Sequence, residues 1–175
     1  AYCYRCPIHL EYPECDLACA DCLKEMLATQ VGAEQTAAVI AEPVPGEGGF
    51  IVPPPEYFSR LKTICEQNDV LFIADEIQTG MARTGENFWG FQAHDVIPDM
   101  ILLGKGLGNG YPLSAVVVKR EIAEAMSHRK YFNTYAFNPI CCAAGRAVLR
   151  AIDEDDIQQN AKAGLMRRMH IARPV

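Results

Sequence analysis

The sequence lacks a surplus of basic residues, a long apolar run and any visible targeting segment. Its 175 residues carry 16 Lys and Arg against 22 Asp and Glu, for a formal net charge of −6. Because non-specific nucleic-acid binding depends on neutralising phosphates with basic side chains, this balance argues against a nucleic-acid partner. Charges or prolines interrupt every apolar stretch before the roughly 18–20 residues that a membrane span requires. We therefore expect a cytoplasmic protein without membrane contact, since its first residues also show no signal-peptide pattern.

The remaining composition is that of a folded globular protein. Half of the residues are hydrophobic and 22% are charged, which excludes disordered, collagen-like and low-complexity classes. No internal repeat or flexible linker interrupts the chain. We therefore treat it as one piece.

Cysteine is abundant near the start of the chain. Five of the eight cysteines are Cys3, Cys6, Cys15, Cys19 and Cys22. The pairs Cys3-x2-Cys6 and Cys19-x2-Cys22 have the spacing of zinc ligands, which makes a zinc-binding or interaction module one alternative. Cys15, Cys19 and Cys22 also recur at helical spacing, where cysteine packs as a small hydrophobic residue. We favour packing and predict no metal site.

Short apolar runs alternate with stretches of helical periodicity along the chain. Strands are predicted at residues 37–41, 70–74, 100–103 and 113–118, and helices at 16–29, 54–68, from about 120, 138–152 and 155–169. Continuous apolar runs are typical of strands that are buried on both faces. The alternation predicts an α/β fold with a largely parallel sheet covered by helices.

Ionisable residues follow three of these runs. Glu42, Asp75 and Lys105 each come directly after a predicted strand or one residue beyond it. In open α/β sheets the ligand crevice lies outside the carboxyl ends of the strands. We therefore expect these three side chains to contribute to one site.

Each of these residues has a structural and a chemical interpretation. Asp75 fits either a helix cap or ion pair, or a carboxylate aimed at a cationic ring nitrogen. Lys105, surrounded by glycines, is either a solvated loop lysine or a lysine used covalently. Glu42 and Glu47 are either solvated loop acids or an acid–base pair.

Polar residues before the helix at 138–152 are also open to two interpretations. Thr134 and Asn138 fit helix caps, or groups that bind a phosphate near a helix start. The four histidines have no ligand spacing, and we expect surface or capping roles for them.

Four segments together resemble a known family. They are residues 41–49 (AEPVPGEGG), 73–80 (IADEIQTG), 104–113 (GKGLGNGYPL) and 133–139 (NTYAFNP). Their order and separation resemble the class III aminotransferases of fold type I, which use pyridoxal 5′-phosphate, from about residue 1 to about residue 165. The resemblance implies that this chain is part of the large cofactor-binding domain of such an enzyme.

The resemblance assigns the central chemistry to two residues. It implies that Lys105 forms a Schiff base with the cofactor and later moves the substrate proton. It implies that Asp75 pairs with the ring nitrogen, which keeps the ring an electron sink. By the same resemblance Ile77 packs on the ring and Gln78 reaches its phenolic oxygen.

The resemblance also implies roles for other residues in binding a partner subunit and the substrate. Thr134 would bind the phosphate of the cofactor in the neighbouring subunit, so a homodimer is expected. Glu47 matches an acid that pairs with a substrate-gating arginine, and Glu42 lies near the ring, so both are placed on the substrate side. Residues 88–95 resemble the alanine–glyoxylate type-2 branch, whereas Glu47 resembles 4-aminobutyrate and other ω-amino acid aminotransferases. The expected reaction transfers an amino group from an ω-amino acid or alanine to a 2-oxo acid.

Family members are longer than this chain. The phosphate-cradling loop on the amino-terminal side and the small domain with its carboxylate-binding arginine have no counterpart here, and residues 168–175 depart from the family pattern. We expect a central fragment, with a Cys-rich loop and helix at 1–30, a strand-rich core with site residues at 37–118, and helices at 138–170. We expect this fragment to be inactive alone, and a non-catalytic fragment is a further alternative.

Overall fold

A computed structural model describes the backbone of residues 1–171 and the side chains of residues 1–164. The side chains of residues 168–175, the segment that departs from the family pattern, therefore lie outside the described residues. Within the described part, the chain divides into two compact units. The first unit contains Ala1–Asp75 and Phe91–Met100, and the second contains Glu76–Gly90 and the chain from Ile101 onward.

The predicted α/β fold is confirmed. Strands β1 (Ala38–Ala41), β2 (Leu71–Asp75), β3 (Met100–Leu103) and β4 (Ala115–Val118) form a four-stranded sheet in the order β1-β2-β3-β4. Strands β1 and β2 are parallel, with Ala38 opposite Leu71. The α-helices are α1 (Ala18–Met26), α2 (Tyr57–Gln67), α3 (Arg120–Ser127), α4 (Pro139–Glu154) and α5 (Ile157–Ile171).

Helix α1 differs in its limits from the predicted helix at 16–29. Asp16 and Leu17 have φ of 45° and 56°, a left-handed backbone that delays the start of the helix to Ala18. Beyond Met26 the chain continues as a wider π-helical turn, Leu27–Val31, and stops at Gly32 with φ of 83°. Glycine is suited to this stop because it adopts positive φ without a steric penalty.

Strand β1 is less buried than its apolar sequence predicts. The expectation of burial on both faces is wrong at Ile40, whose side chain is 58% exposed. The strand lies at one end of the sheet order, so it has a strand neighbour on one side only. An uninterrupted apolar run therefore does not by itself establish that a strand is central.

The core of the first unit lies between α2 and β2. Helix α2 buries Phe58 and Cys65, and the ring of Phe58 meets that of Phe72 edge-on at 5.4 Å between centroids. The other face of this cluster is closed by His94, whose ring stacks on Phe58 at 4.8 Å. The expectation of a surface or capping role is therefore wrong for His94, which is buried and whose Nδ1 lies 3.1 Å from the carbonyl oxygen of Pro55.

A buried ion pair joins α2 to β2 within the same unit. Lys62 Nζ donates to Asp99 Oδ2 at 2.8 Å, and the same carboxylate oxygen accepts from the Phe72 N–H at 2.8 Å. Burial disfavours the charge of Lys62, but hydrogen bonds and attraction from Asp99 and Glu66 raise the pKa of Lys62 above its ordinary value. The pair thus fixes the strand against the helix with both charges compensated.

No helix in the described part of the chain is long and apolar enough to cross a membrane.

Candidate active site

Lys105 lines a cavity of the second unit, and only Gly104 separates it from the end of β3. The strand ends at Leu103, and Lys105 opens a short 3-10 turn, Lys105–Leu107, after Gly104. Lys105 itself has φ of 32°, a positive value that is uncommon for a residue with a side chain. Strained backbone of this kind is concentrated at functional sites.

The amine of Lys105 contacts the side chain of Gln78. Lys105 Nζ donates to Gln78 Oε1 at 2.6 Å. The acceptor is a neutral amide oxygen, and Lys105 is exposed. The amine is thus oriented by a dipole, and solvent and solutes can reach it.

Glycine keeps the space around Lys105 open. A Cβ placed on Gly104 would lie 3.4 Å from Ile77 Cγ2, so the apolar side chain of Ile77 rests against the backbone before the lysine. Helix α4 approaches the turn from another side, because a Cβ on Gly145 would lie 3.4 Å from the Leu107 carbonyl oxygen. The glycines at positions 104 and 145 thus allow Ile77 and helix α4 to pack closely against the backbone of the lysine turn.

A cavity of about 420 Å³ opens beside this amine. Its lining includes Ile77, Gln78, Arg83, Lys105, Asn109 and Ile152. The size suits a small organic ligand, and the lining combines apolar surface with a few polar groups, as ligand sites do.

Arg83 at this cavity was missed by the sequence analysis. It directly follows Met81 and Ala82, whose left-handed backbone has φ of 60° and 61°, and its side chain is exposed. No periodicity marks such a loop residue.

Thr134 and Asn138 are both in the second unit, outside the residues that line this cavity. Thr134 is exposed in the turn before α4. Asn138 is the N-cap of that helix, because its Oδ1 accepts from the N–H groups of Ile140 and Cys141 at 3.0 and 3.1 Å. The capping interpretation is confirmed for Asn138.

The three remaining candidates, Asp75, Glu42 and Glu47, lie in the first unit. Asp75 is the last residue of β2 and half-buried. Glu42 Oε2 accepts from the Gly46 N–H at 3.0 Å and so closes the turn after β1. Glu47 is exposed in that turn.

The amino-terminal cysteines are not arranged as a metal site. Cys3 and Cys22 are exposed, the other three are half-buried, and all are free thiols. Burial raises the pKa of the Cys19 thiol above its ordinary value. Among the described residues, no group of three or more His, Cys, Asp or Glu side chains could hold a metal ion. The spacing of the CxxC pairs is therefore not matched by a convergence of their sulfur atoms in space.

Comparison with known proteins places this site in a family. Residues 2–167 match the family described as Aminotransferase class-III. The chain is 47% identical over 125 residues to the mitochondrial alanine–glyoxylate aminotransferase 2 homolog 2 of Arabidopsis thaliana, covering 71% of the chain and 26% of that protein. It is 38% identical over 160 residues to the leucine/methionine racemase of Thermococcus litoralis, covering 91% of the chain and 36% of that protein.

A solved structure agrees with the sequence relatives. An amine transaminase from an uncultivated Pseudomonas species, in a PLP-bound form, superposes with a TM-score of 0.85 and 38% identity, covering 94% of this chain and 39% of that one. The chain thus spans only about a quarter to two fifths of the length of these proteins. The family match extends over nearly all of the sequence, and the chain belongs to the class III aminotransferase family.

Proposed function

We propose that the protein containing this sequence is an aminotransferase that uses pyridoxal phosphate to move an amino group from an amino acid to a 2-oxo acid. The observation that carries the proposal is the amine of Lys105, 2.6 Å from Gln78 Oε1, exposed beside a cavity of about 420 Å³. Amines on lysine are the protein groups that condense with carbonyl carbons. The chain's segment would form part of the large, cofactor-binding domain.

The residues around the lysine fit this cofactor. An accessible amine suits its aldehyde carbon, and Ile77 beside Gly104 offers an apolar side chain for contact with its ring. When bound, the cofactor supplies an electron sink for the negative charge that forms on the substrate carbon. The side chains of the protein bind the cofactor, orient it and move the substrate proton.

Those side chains have distinct tasks in the proposal. Lys105 holds the cofactor covalently through Nζ and, once released, takes up and returns the substrate proton. Asp75 keeps the ring nitrogen protonated, since a carboxylate at hydrogen-bond distance stabilises a positive nitrogen. Gln78 orients the reacting amine and the ring oxygen beside it.

Two acids of the first unit would contribute on the substrate side. Glu47 is exposed and free to meet a cationic side chain when one amino donor is bound. Glu42 acts less directly, because its carboxylate orders the Gly46 turn that carries Glu47.

The amino donor is proposed to be alanine or an ω-amino acid. Support for alanine comes from residues 88–95 and from a relative named as an alanine–glyoxylate aminotransferase, and support for ω-amino donors comes from Glu47. A screen of the full-length protein with alanine, β-alanine and 4-aminobutyrate, each with glyoxylate and pyruvate, separates the two. No turnover with any of these donors would remove both choices.

Racemisation is a second candidate, because a relative 38% identical over 91% of the chain is named a leucine/methionine racemase. It would proceed through the same lysine and would exchange the Cα hydrogen without transferring nitrogen. Loss of optical rotation from L-leucine or L-methionine without a 2-oxo acid present would identify it. Amino transfer in which the unreacted L-leucine or L-methionine keeps its optical rotation would exclude it.

A homodimer is also part of the proposal. Thr134 lies among exposed aromatic side chains, with Phe132 88% and Tyr135 90% exposed. Such rings are rarely left in water without a partner. We propose that this segment meets a second copy, where Thr134 binds the phosphate of that copy's cofactor.

The dimer has a specific test. Full-length Lys105→Ala and Thr134→Ala proteins are mixed, unfolded and refolded together, and activity is measured against each protein alone. Sites completed across the interface would recover activity in mixed dimers. Equal activity before and after mixing would contradict sharing of the site.

The cytoplasm remains a proposed location. The relative from Arabidopsis is named as mitochondrial, so fractionation of cells expressing the full-length tagged protein is needed. Recovery with mitochondria would overturn the proposal.

The central experiment labels the lysine. Full-length protein is incubated with pyridoxal phosphate, its visible absorbance is recorded, and borohydride then fixes the bond for peptide mapping. We expect the label on Lys105 in the unmodified protein and in the matched control Lys130→Ala, which changes another exposed lysine. Label at another residue, or no label, would overturn the proposed function.

A further inference from the structure

Glu76 is a buried carboxylate in the turn that carries Gln78. It is 1% exposed, among the most buried side chains of the described chain. Its Oε2 accepts from the Thr79 hydroxyl at 2.8 Å and from the Gly90 N–H at 2.8 Å. Burial of a carboxylate is costly unless donors compensate it, and these two donors come from both ends of the loop.

The backbone of the same residue is tied to the strand before the lysine. The Glu76 N–H donates to the Leu102 carbonyl oxygen at 3.0 Å, and Leu102 lies in β3 just ahead of Gly104 and Lys105. The Gly80 N–H in turn donates to the Glu76 carbonyl oxygen at 2.9 Å. Glu76 is therefore bonded through its main chain to the lysine strand and through its side chain to the loop.

The turn has little freedom to move. A Cβ on Gly80 would lie 2.8 Å from the Glu76 carbonyl oxygen and 3.3 Å from the ring of Trp89, so the turn is closely packed at its far end. Gln78 lies between Glu76 and Thr79, which are bonded to each other. The position of Gln78 Oε1 relative to Lys105 Nζ thus depends on the hydrogen bonds of Glu76.

We propose that Glu76, through Thr79, is a positioning residue that holds Gln78 against the amine of Lys105. This inference rests on the proposed function, since it concerns the orientation of the cofactor lysine. Glu76 acts through the geometry of the turn, because its side chain bonds Thr79 and its carbonyl oxygen accepts from the Gly80 N–H. Displacements of about 1 Å at a reacting group cost about 100-fold in rate.

The test uses the full-length protein with pyridoxal phosphate bound. Thr79→Val removes the hydroxyl donor at nearly constant volume, and Glu76→Gln removes the charge at nearly constant size. Thr79→Ser keeps the hydroxyl, and Thr84→Val is the matched control, since Thr84 lies in the same loop and donates instead to the Asn87 carbonyl oxygen. Visible circular dichroism of the cofactor, kcat and KM, and the melting temperature of the cofactor-free protein are measured for each.

We expect Thr79→Val and Glu76→Gln to change the cofactor's circular dichroism and to lower kcat by about 10- to 100-fold, with KM altered less. Thr79→Ser should restore both readouts toward those of the unmodified protein. Thr84→Val should leave them unchanged. A purely structural role would lower the melting temperature and leave the dichroism and kcat of the folded enzyme as they were, which would overturn the inference.

A double-mutant cycle tests the route through Gln78. In a Gln78→Ala background, Thr79→Val should have little further effect on dichroism or kcat, because the residue it positions has been removed. A full multiplicative effect of Thr79→Val in that background would also overturn the inference. If the Glu76→Gln protein does not fold, the Thr79 variants and this double-mutant cycle still test the inference. Failure of the proposed function would show differently, as absence of borohydride label on Lys105 in the unmodified protein.

Discussion

Two lysines, one in each unit, contrast how the chain uses the same functional group. Lys62 in the first unit is 12% exposed and donates to a carboxylate, Asp99, at 2.8 Å. Lys105 in the second unit is exposed and donates to a neutral amide, Gln78, at 2.6 Å. A carboxylate partner forms an ion pair with an amine, whereas an amide oxygen only accepts a hydrogen bond from it. The two lysines therefore differ in both the charge of their partner and their exposure, and the proposed function assigns the covalent chemistry to the exposed one.

The surroundings of the two lysines differ in the same way. The first unit, which holds the Lys62 pair, packs the rings of Phe58, Phe72 and His94 into one cluster, with Phe72 edge-on and His94 stacked against Phe58. The second unit places its lysine on a glycine-flanked turn beside a cavity and leaves the aromatic segment around Thr134 exposed. Burial stabilises the first unit, and access for ligands is retained in the second.

The largest expected effect is at Lys105. Lys105→Arg keeps a cation but removes the amine that can condense with an aldehyde, so borohydride labelling should vanish and kcat should fall by more than about 10⁴-fold. Labelling and steady-state rates of the full-length protein measure this. Lys62→Arg should retain the label, and if it instead abolished labelling while Lys105→Arg did not, the assignment of the two lysines would be reversed.

Asp75→Asn comes next. The side chain keeps its size but loses the charge that holds a proton on the ring nitrogen, so the rate should fall by about 10³-fold or more while Lys105 is still labelled. Single-turnover kinetics measure the loss of rate, and borohydride mapping checks that Lys105 is still labelled. Turnover at a near-normal rate would show that Asp75 has only a structural role at the end of β2.

Lys62→Met should affect stability and leave the chemistry intact. It removes the amine that lies 2.8 Å from the Asp99 carboxylate, which is 8% exposed, and loss of one partner of a buried pair costs about 3–5 kcal/mol. Urea unfolding of the full-length protein measures the loss, and Glu66→Gln is a matched control because Glu66 is the exposed partner of the same lysine. A Lys62→Met protein as stable as the unmodified one would remove the contrast between the two lysines.

The pH dependence of this pair has a definite sign. The pKa of Lys62 is raised above its ordinary value of 10.5, because the Asp99 and Glu66 carboxylates outweigh burial. Its contribution is therefore fully present below about pH 10.5 and is lost as pH rises through the higher value in the folded state. Unfolding free energies of the unmodified and Lys62→Met proteins should thus converge above that pH, and a difference that stayed constant would contradict the assignment.

The smallest expected effect is at Thr134. If its hydroxyl binds the cofactor phosphate of a second copy, Thr134→Ala should weaken cofactor affinity by about 10- to 100-fold, the range for a hydrogen bond to a charged group. Because Thr134 is exposed, the melting temperature of the cofactor-free protein should not change. Fluorescence titration with pyridoxal phosphate measures the affinity, and an unchanged affinity would separate Thr134 from the site.

Much of the fold could be predicted from local sequence. The apolar runs identified all four strands to within two residues at each end, because a strand that packs against helices needs apolar side chains on successive residues. Asn138 before Pro139 predicted the start of α4 for an equally local reason, since the cap acts on the next three residues. Lys105 was a candidate from its place after a predicted strand, and the resemblance gave it an expected role, whereas Gln78 was predicted from the resemblance alone.

Other features were decided only by the tertiary structure. The exposure of Ile40 depends on what packs against its face of β1, and the burial of His94 depends on the ring of Phe58, far away in sequence. Glu76 stood within the recognised segment at 73–80, yet its role depends on an N–H from Gly90 and a carbonyl oxygen in β3. The sequence by itself determined which residues are apolar, which turns need glycine and which lysine follows a strand. Partners distant in the chain decided which of the two lysines is neutralised by a carboxylate and which stays accessible, because burial and pairing are properties of the folded chain.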